Sequence, residues 1–234
     1  MVAYQLLDSG GSRRLEEWSG LGFSLALWAG PNGQLGAFPE QHSNWAWLHA
    51  ACLASPSPLR VLNLFGYTGG STLACAASGQ AELTHLDGSR AAVARARSNA
   101  DRSSLSAAPI KWIAEDATTY VSRAVRRGER FDGVILDPPA FGRGGAKKKE
   151  WRIERDLPPL LDSLRLLLGE EPAFVLLSSH DPRWAPSRLE QSIRALDFVD
   201  GKITSGTMRL HATSGKHLDM GGYCRYISSR LDTT

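Results

Sequence analysis

Arg60-Val-Leu-Asn-Leu-Phe-Gly-Tyr-Thr-Gly-Gly70 decides the fold. Six residues of mostly apolar character run straight into a glycine-rich turn, the pattern of a strand buried on both faces. The small residues from Gly70 to Ser78 then suit a tightly packed helix. Working outward, the same alternation repeats. Ala81 to Leu86 reads as a strand, and Ser89 to Arg102 as an amphipathic helix with arginines on its outer face. Pro109 to Ala114 is a strand and Ala117 to Arg127 a helix. Phe131 to Leu136 is a strand that Asp137-Pro138-Pro139 must end, since proline cannot continue a central strand. Leu157 to Leu168 is a leucine-rich helix, Pro172 to Ser178 a strand and Ser187 to Ala195 a helix. Two last strands are expected near Phe198 to Thr204 and Gly222 to Ser229. Strands alternating with helices predict an α/β fold, a parallel sheet wound right-handedly with helices on both faces.

Residues 1–58 differ. Turn glycines separate short apolar runs from Leu21 to Phe38, and Trp45 to Leu53 has a helical pattern. A small N-terminal β extension with a helix is expected here, packed on a main domain of residues 59–234. The 234 residues, 42% hydrophobic and 22% charged, suffice for one large core. The formal charge of +3 is too small to argue for a nucleic-acid partner by itself. Cys52, Cys75 and Cys224 form no CxxC pair and no zinc-spaced cluster, so no metal is expected. So sparse a set suits a reducing cytoplasm. The stretch from Met1 to Glu17, with Asp8, Arg13 and Arg14, has neither a signal peptide's apolar run nor a membrane anchor's.

In open α/β sheets ligands bind beyond the C-terminal strand ends, and four features fall there. The Asn63–Gly70 turn lets a ligand approach the backbone, and its spacing is not the GxGxxG of dinucleotide sites. A plain glycine turn is the alternative. Asp87 can accept both hydroxyls of a ribose, or cap the next helix. Asp116, in Glu115-Asp116-Ala117, can accept from an adenine amino group, cap a helix, or do both. Asp137-Pro138-Pro139-Ala140-Phe141 is the most specific of the four. Its prolines fix the backbone, its carboxylate lies at the sheet edge, and Phe141 supplies a ring that can stack on a base.

These residues resemble the motifs of class I S-adenosylmethionine-dependent methyltransferases. More narrowly, the chain is similar to the bacterial ribosomal RNA large-subunit methyltransferases, which include cytosine-C5 and guanine-N7 enzymes of 23S rRNA. The matching segments are Asn63 to Gly70, His85-Leu-Asp-Gly-Ser89, Asn99, Asp116-Ala117 and Leu136 to Phe141. Gly36 to Asn44 resembles the segment that folds over the cofactor, and Thr213 to Lys216 leading to Gly222 to Arg225 resembles a closing hairpin. The resemblance implies a Rossmann-like seven-stranded sheet and S-adenosylmethionine as cofactor. It implies cofactor contacts from Gln41, Asn44, Asn63, Phe65, Gly66, Tyr67, Thr68, Gly69, Asp87, Gly88, Ser89, Asn99, Asp116, Ala117 and Asp137. Of these, Gly66, Thr68 and Gly69 lie near the methionine part, Asp87 at the ribose and Asp116 at the adenine. Asp137, Pro138, Pro139 and Phe141 are the expected catalytic set. Many members carry an N-terminal RNA-binding module. None is expected here, so RNA would be held by the catalytic domain or a partner.

The acceptor atom follows from chemistry. Cytosine C5 becomes nucleophilic only after a thiolate adds at C6. The fourth core strand ends in Asp137-Pro138-Pro139-Ala140 and the fifth in Ser178-Ser179-His180-Asp181, with no cysteine. A nitrogen or oxygen acceptor is therefore favoured, and His180 could serve as its base. Gly142-Arg-Gly-Gly-Ala-Lys-Lys-Lys149, followed by Trp151, Arg152 and Arg155, reads as a mobile basic loop suited to phosphates and base stacking, or as a solvated loop. Arg123, Arg126, Arg127 and Arg130 form a second basic cluster. A methyltransferase for a protein or small molecule, and a non-catalytic RNA-binding assembly factor, remain as alternatives.

Overall fold

The computed structural model describes residues 16–27, 36–144, 149–211 and 214–231. The N-terminal residues Asp8, Arg13 and Arg14, the lysines Lys147 and Lys148, and Thr213 lie outside them.

A hairpin of β1 (Glu16–Gly20) and β2 (Phe23–Leu27) comes first, followed by a 3-10 turn at Pro39–Gln41 and helix α1 (His42–Leu53). Then β3 (Leu59–Leu64), α2 (Gly70–Ala76), β4 (Ala81–Asp87), α3 (Arg90–Arg102), β5 (Ile110–Ala114), α4 (Ala117–Arg126) and β6 (Gly133–Leu136) alternate. A second hairpin, β7 (Phe141–Gly144) and β8 (Lys149–Arg152), precedes α5 (Ile153–Leu168), β9 (Phe174–Ser179) and α6 (Pro186–Arg194). The chain closes with β10 (Lys202–His211) and β11 (His217–Ile227).

One seven-stranded sheet runs β10-β11-β9-β6-β3-β4-β5. The β3, β4, β5, β6 and β9 pairings are parallel. β11 runs antiparallel to both β9 and β10, a departure from the all-parallel sheet read from the alternation. A tight hairpin, rather than a helical crossover, joins the last two strands and so reverses the chain.

The strands read as continuous apolar runs because both faces are covered. Leu62, Leu64, Val134, Leu136, Val175 and Leu177 pack with α4, α5 and α6 on one face. The alternate residues Leu59, Val61, Ile135, Phe174 and Leu176 pack toward α1 and α2 on the other. Gly133 is required at the crossing: a β-carbon there would lie 2.7 Å from the Phe174 ring.

The β1–β2 hairpin sits on the second face through Trp18, which meets Phe23 at 5.0 Å and Trp45 at 4.8 Å between ring centroids. Asn99 of α3 ties this hairpin to the glycine turn. Its Nδ2 donates to the Thr68 carbonyl (2.9 Å) and its Oδ1 accepts from Ala26 N–H (3.1 Å). Both polar ends of this buried amide face backbone, so Asn99 is a brace and does not line the cavity described below. Asn99→Leu strands two buried backbone groups and is expected to cost about 1–3 kcal/mol in denaturant unfolding. Unchanged stability with lost cofactor affinity would return Asn99 to the site.

Besides β10 and β11, whose bounds differ from those expected, two segments depart from the sequence reading. The glycine- and lysine-rich stretch after Phe141 is a β-hairpin rather than a loop, with only its tip, 145–148, outside the described residues. Helix α5 begins a turn before Leu157, although Pro158 and Pro159 lie inside it. Those prolines remove two main-chain donors near the helix start, while Asp156 Oδ2 accepts from Arg152 N–H at 2.8 Å and steadies the first turn. Among the described residues no helix is long and apolar enough to cross a membrane.

Candidate active site

The strand ends of β3, β4, β5, β6 and β9 open into one cavity of about 640 Å³, within the range of small-molecule and cofactor sites. From the expected set, Phe65, Tyr67, Asp87, Gly88, Ser89, Asp116, Ala117, Asp137, Pro138 and Pro139 line it. A recess of about 30 Å³ adjoins it, walled by Gln41, Asn63, Gly66, Thr68 and again Asp137. Asn44, Gly69, Asn99 and Phe141 line neither space, and Phe141 is 53% exposed.

The glycine turn holds its shape under strain. Phe65 (φ 58°) and Tyr67 (φ 48°) join Gly69 (φ 96°) in the left-handed region, where non-glycine residues are uncommon and tend to mark functional sites. Gly66 N–H donates to the Leu86 carbonyl (2.9 Å), locking the turn onto β4. A β-carbon on Gly66 would lie 2.5 Å from the His85 ring, so the glycine answers a neighbouring side chain as much as any ligand. His85 is fully buried, and burial pushes its pKa down to about 4 against a backbone hydrogen bond to Tyr67 that raises it. It is neutral, and its Nδ1 lies 2.8 Å from Thr72 Oγ1, which accepts from Asn63 Nδ2 (2.8 Å). Asn63 therefore faces α2 with its amide nitrogen.

Asp87 does not cap α3. Ser89 does, accepting from Ala92 N–H at 3.3 Å. Each carboxylate oxygen of Asp87 takes one backbone N–H, Tyr67 at 2.9 Å and Ser89 at 2.8 Å. Each oxygen keeps acceptor capacity toward the cavity. Burial raises its pKa, and the two backbone N–H groups pull the other way. Asp116 does cap its helix: Oδ1 accepts from Thr119 N–H at 2.9 Å while Asp116 also lines the cavity.

Asp137 has the densest surroundings. Its Oδ1 accepts from Ser178 Oγ (2.8 Å) and its Oδ2 from Gln41 Nε2 (3.1 Å). His180 Nδ1 lies 3.7 Å from Oδ1, and the opposite ring nitrogen, Nε2, lies 2.9 Å from Glu40 Oε1. Burial raises the Asp137 pKa, while His180, Ser178 and Gln41 lower it and Glu40 raises it further; the net direction is up. For His180, burial favours the neutral ring. The Glu40 hydrogen bond and the charges of Asp137 and Glu40 outweigh it, so its pKa is raised.

Two aromatic residues complete the wall, Phe38 from the Gly36–Asn44 segment and Trp151 from β8. Phe38 bridges Tyr67 and His180 at centroid distances of 5.4 and 5.3 Å. Trp151 donates from Nε1 to the Pro139 carbonyl (2.8 Å) and packs on Phe65 at 4.8 Å. The β7–β8 hairpin thus forms a wall, with Gly142 and Trp151 paired on the cavity side. Phe141 pairs with Arg152, whose guanidinium lies 5.8 Å from its ring. Period-two spacing on each arm was the available signal, masked by the glycines and lysines. Arg123, from the second basic cluster, is bidentate to Glu115 at 2.5 and 2.6 Å, so its charge is offset locally.

A Rossmann-like sheet with strand order β10-β11-β9-β6-β3-β4-β5 and three carboxylates at successive strand ends defines a nucleotide-cofactor-binding α/β enzyme class. A family model described as S-adenosylmethionine-dependent methyltransferase matches residues 10–189, and the chain belongs to that family. The S-adenosylmethionine-dependent methyltransferase of Agrobacterium tumefaciens superposes with a TM-score of 0.86 at 32% identity, over 93% of this chain and 71% of that one. Ribosomal RNA large subunit methyltransferase K of Neisseria meningitidis serogroup B is 31% identical over 112 residues, 48% of this chain and 32% of that protein. Ribosomal RNA large subunit methyltransferase K/L of Shewanella baltica is 30% identical over 146 residues, 62% of this chain and 19% of that protein. The chain thus spans about a third or less of the length of these two curated relatives.

The cavity fits S-adenosylmethionine, the cofactor of the family. Asp87 has acceptor capacity that would suit a diol, Asp116 lines the same wall, and three carboxylates there would suit a ligand with a cationic sulfur.

Proposed function

We propose that this chain transfers the methyl group of S-adenosylmethionine to a base nitrogen of 23S ribosomal RNA in the cytoplasm. Residues 59–234 act as the methyltransferase domain and residues 1–58 as a β extension and helix covering it. The observation that carries this reading is Asp137, held by Gln41 and Ser178 at the cavity wall beside His180, with no thiol near it. Cys52 and Cys75 lie together in the core, where the Cys52 contact and burial raise the Cys75 pKa well above the ordinary thiol value, and burial pushes Cys224 up to about 12. These are inert thiols, unsuited to the covalent activation that cytosine C5 requires.

Bound S-adenosylmethionine supplies an electrophilic methyl group on a sulfonium. The residues supply alignment, proton handling and exclusion of water. Asp87 and Asp116 seat the nucleoside. Pro138 and Pro139 fix the turn, so that Asp137 can accept a hydrogen bond from the acceptor amine. A carboxylate only accepts, so the neutral His180 ring carries its proton on Nε2, toward Glu40, and leaves Nδ1 to take a proton. Asp137 and Glu40 then stabilise the charge that forms. Phe141, with Arg152, offers RNA a stacking surface on the other face of the β7–β8 hairpin.

The test is mass spectrometry of nucleosides from 23S rRNA of cells lacking the gene, before and after incubation with the protein and S-adenosylmethionine. An N-methylated base that appears only with the active protein is expected. 5-Methylcytidine would refute the nitrogen acceptor, and no methylated nucleoside would refute RNA as the substrate.

A further inference from the structure

The amides of Asn44 and Gln41 stand between a guanidinium and a carboxylate, and their hydrogen bonds can run only one way. Arg225 of β11 donates to Asn44 Oδ1 from Nε (2.9 Å) and Nη2 (2.6 Å). A guanidinium has no acceptor, so Asn44 must turn its oxygen to Arg225 and its nitrogen away. That nitrogen donates to Gln41 Oε1 (2.5 Å). Gln41 is left with Nε2 for its far side, where it donates to Asp137 Oδ2 (3.1 Å) and Ser178 Oγ (3.0 Å). Ser178 in turn donates to Asp137 Oδ1. Asn44 is 0% and Gln41 4% exposed, so solvent does not compete for these groups.

Arg225 is an unusual anchor. Its polar contacts are neutral, Asn44 Oδ1 and Ser43 Oγ (3.2 Å). Its guanidinium lies 4.2 Å from the Tyr223 ring centroid and 5.4 Å from that of Trp47. Burial disfavours its charge and lowers its pKa, with Tyr223 opposing. A cation desolvated with no anion beside it among the described residues is costly to fold, which points to a role beyond cohesion.

We propose that Arg225 is a positioning residue for methyl transfer, its donor-only head fixing the direction of the Asn44–Gln41 relay so that a donor faces Asp137. The role in transfer rests on the reading of Asp137 given above; the relay itself does not. Were Asp137 to take a proton on Oδ2, the oxygen that faces Gln41, it would donate it to Gln41 Oε1. Gln41 and Asn44 would both have to turn over, and Asn44 Nδ2 would then meet the N–H groups of Arg225. Arg225 therefore penalises protonation at Oδ2 from the far end of the relay, and with it the share of the neutral form that this oxygen supplies. The groups that face Asp137 directly are Gln41 and Glu40 of the turn before α1, Ser178 of β9 and His180 beyond it. Those facing Arg225 are Ser43, Asn44, Trp47 and Tyr223.

The test is a carboxyl titration followed by carbon NMR in the cofactor-free protein labelled at aspartate, with Asp137 assigned from the signal lost in Asp137→Asn. Arg225→Met and Asn44→Leu are both expected to move the Asp137 midpoint up by about half a pH unit or more, roughly a threefold rise in proton affinity. Arg225→Lys, which keeps a donor-only cation, should leave it in place. Asn44→Leu decides, because it breaks the relay and leaves the charge of Arg225 where it is. A shift in Arg225→Met without one in Asn44→Leu would be a direct effect of charge and would overturn the relay, as would no shift in either. Thermal melts check that each variant folds, and Asn44→Ala replaces Asn44→Leu if the larger side chain does not fit. Full turnover by Asp137→Asn would instead remove the role in transfer and leave the titration result standing.

Discussion

Asp87→Asn is expected to weaken binding of S-adenosylhomocysteine by about 1–3 kcal/mol, roughly ten- to hundredfold, with the fold intact. Both Asp87 oxygens are already aimed by backbone, Tyr67 N–H on one and Ser89 N–H on the other. A ribose diol adds two hydrogen bonds to a charged acceptor, and asparagine keeps only one oxygen to receive them. Stability should respond differently. Burial raises the Asp87 pKa in the folded state. Its contribution to stability is thus fully present below the unfolded value, about 3.9, and is lost as pH rises through the folded one. At neutral pH the buried charge is a cost to folding that the neutral amide avoids, but the amide's NH2 would face one of the two backbone N–H donors, so stability should change little. Calorimetric titration with parallel thermal melts checks both halves. An affinity loss accompanied by an equal loss of stability would mean that Asp87 serves the fold and not the ribose.

Asp137→Asn is expected to lower kcat by about a hundredfold or more, with a smaller effect on S-adenosylhomocysteine affinity. In the proposed reaction the carboxylate accepts from the amine to be methylated and lies 3.7 Å from His180 Nδ1, and an amide there neither carries charge nor stabilises an imidazolium. The pH dependence gives the signature. The Glu40 hydrogen bond and the Asp137 and Glu40 charges lift the His180 pKa above its ordinary value despite burial. As a proton acceptor His180 must be neutral, so kcat should rise with pH through a midpoint above the ordinary histidine value and level off beyond it. The same raised pKa stabilises the folded protein fully below about 6.5, a contribution lost as pH rises through the folded value. His180→Asn should flatten the acid limb of the rate profile. An unchanged limb in that variant would exclude His180 as the acceptor.

The central sheet was legible because β3, β6 and β9 are buried on both faces, so their sequences are mostly apolar. The β7–β8 hairpin was not, because its glycines and lysines carry loop chemistry and only the pairing of Gly142 with Trp151 shows which side faces the cavity. The length of β10 and β11 was underread for a related reason: Thr204, Ser205, Gly206 and Thr207 interrupt the apolar pattern at the sheet edge. Within the site, the carboxylates at strand ends were easy to place at the cavity, since position on a parallel strand sets direction. Amides were harder. Asn44, Asn63 and Asn99 occupy motif positions, yet their polar ends serve Gln41 and Arg225, Thr72, and backbone respectively. Arg225 lies 181 positions from Asn44, and Glu40 lies 140 from His180, separations over which no local pattern carries information.

The most direct test of the account is label transfer from S-adenosylmethionine carrying a tritiated methyl group, with 23S rRNA and an equal mass of protein offered as competing acceptors. The account predicts label in the RNA, retained on a base after digestion to nucleosides and reduced by about a hundredfold in Asp137→Asn. Label in the protein acceptor, or none in the RNA from a wild-type protein that binds S-adenosylhomocysteine, would contradict it.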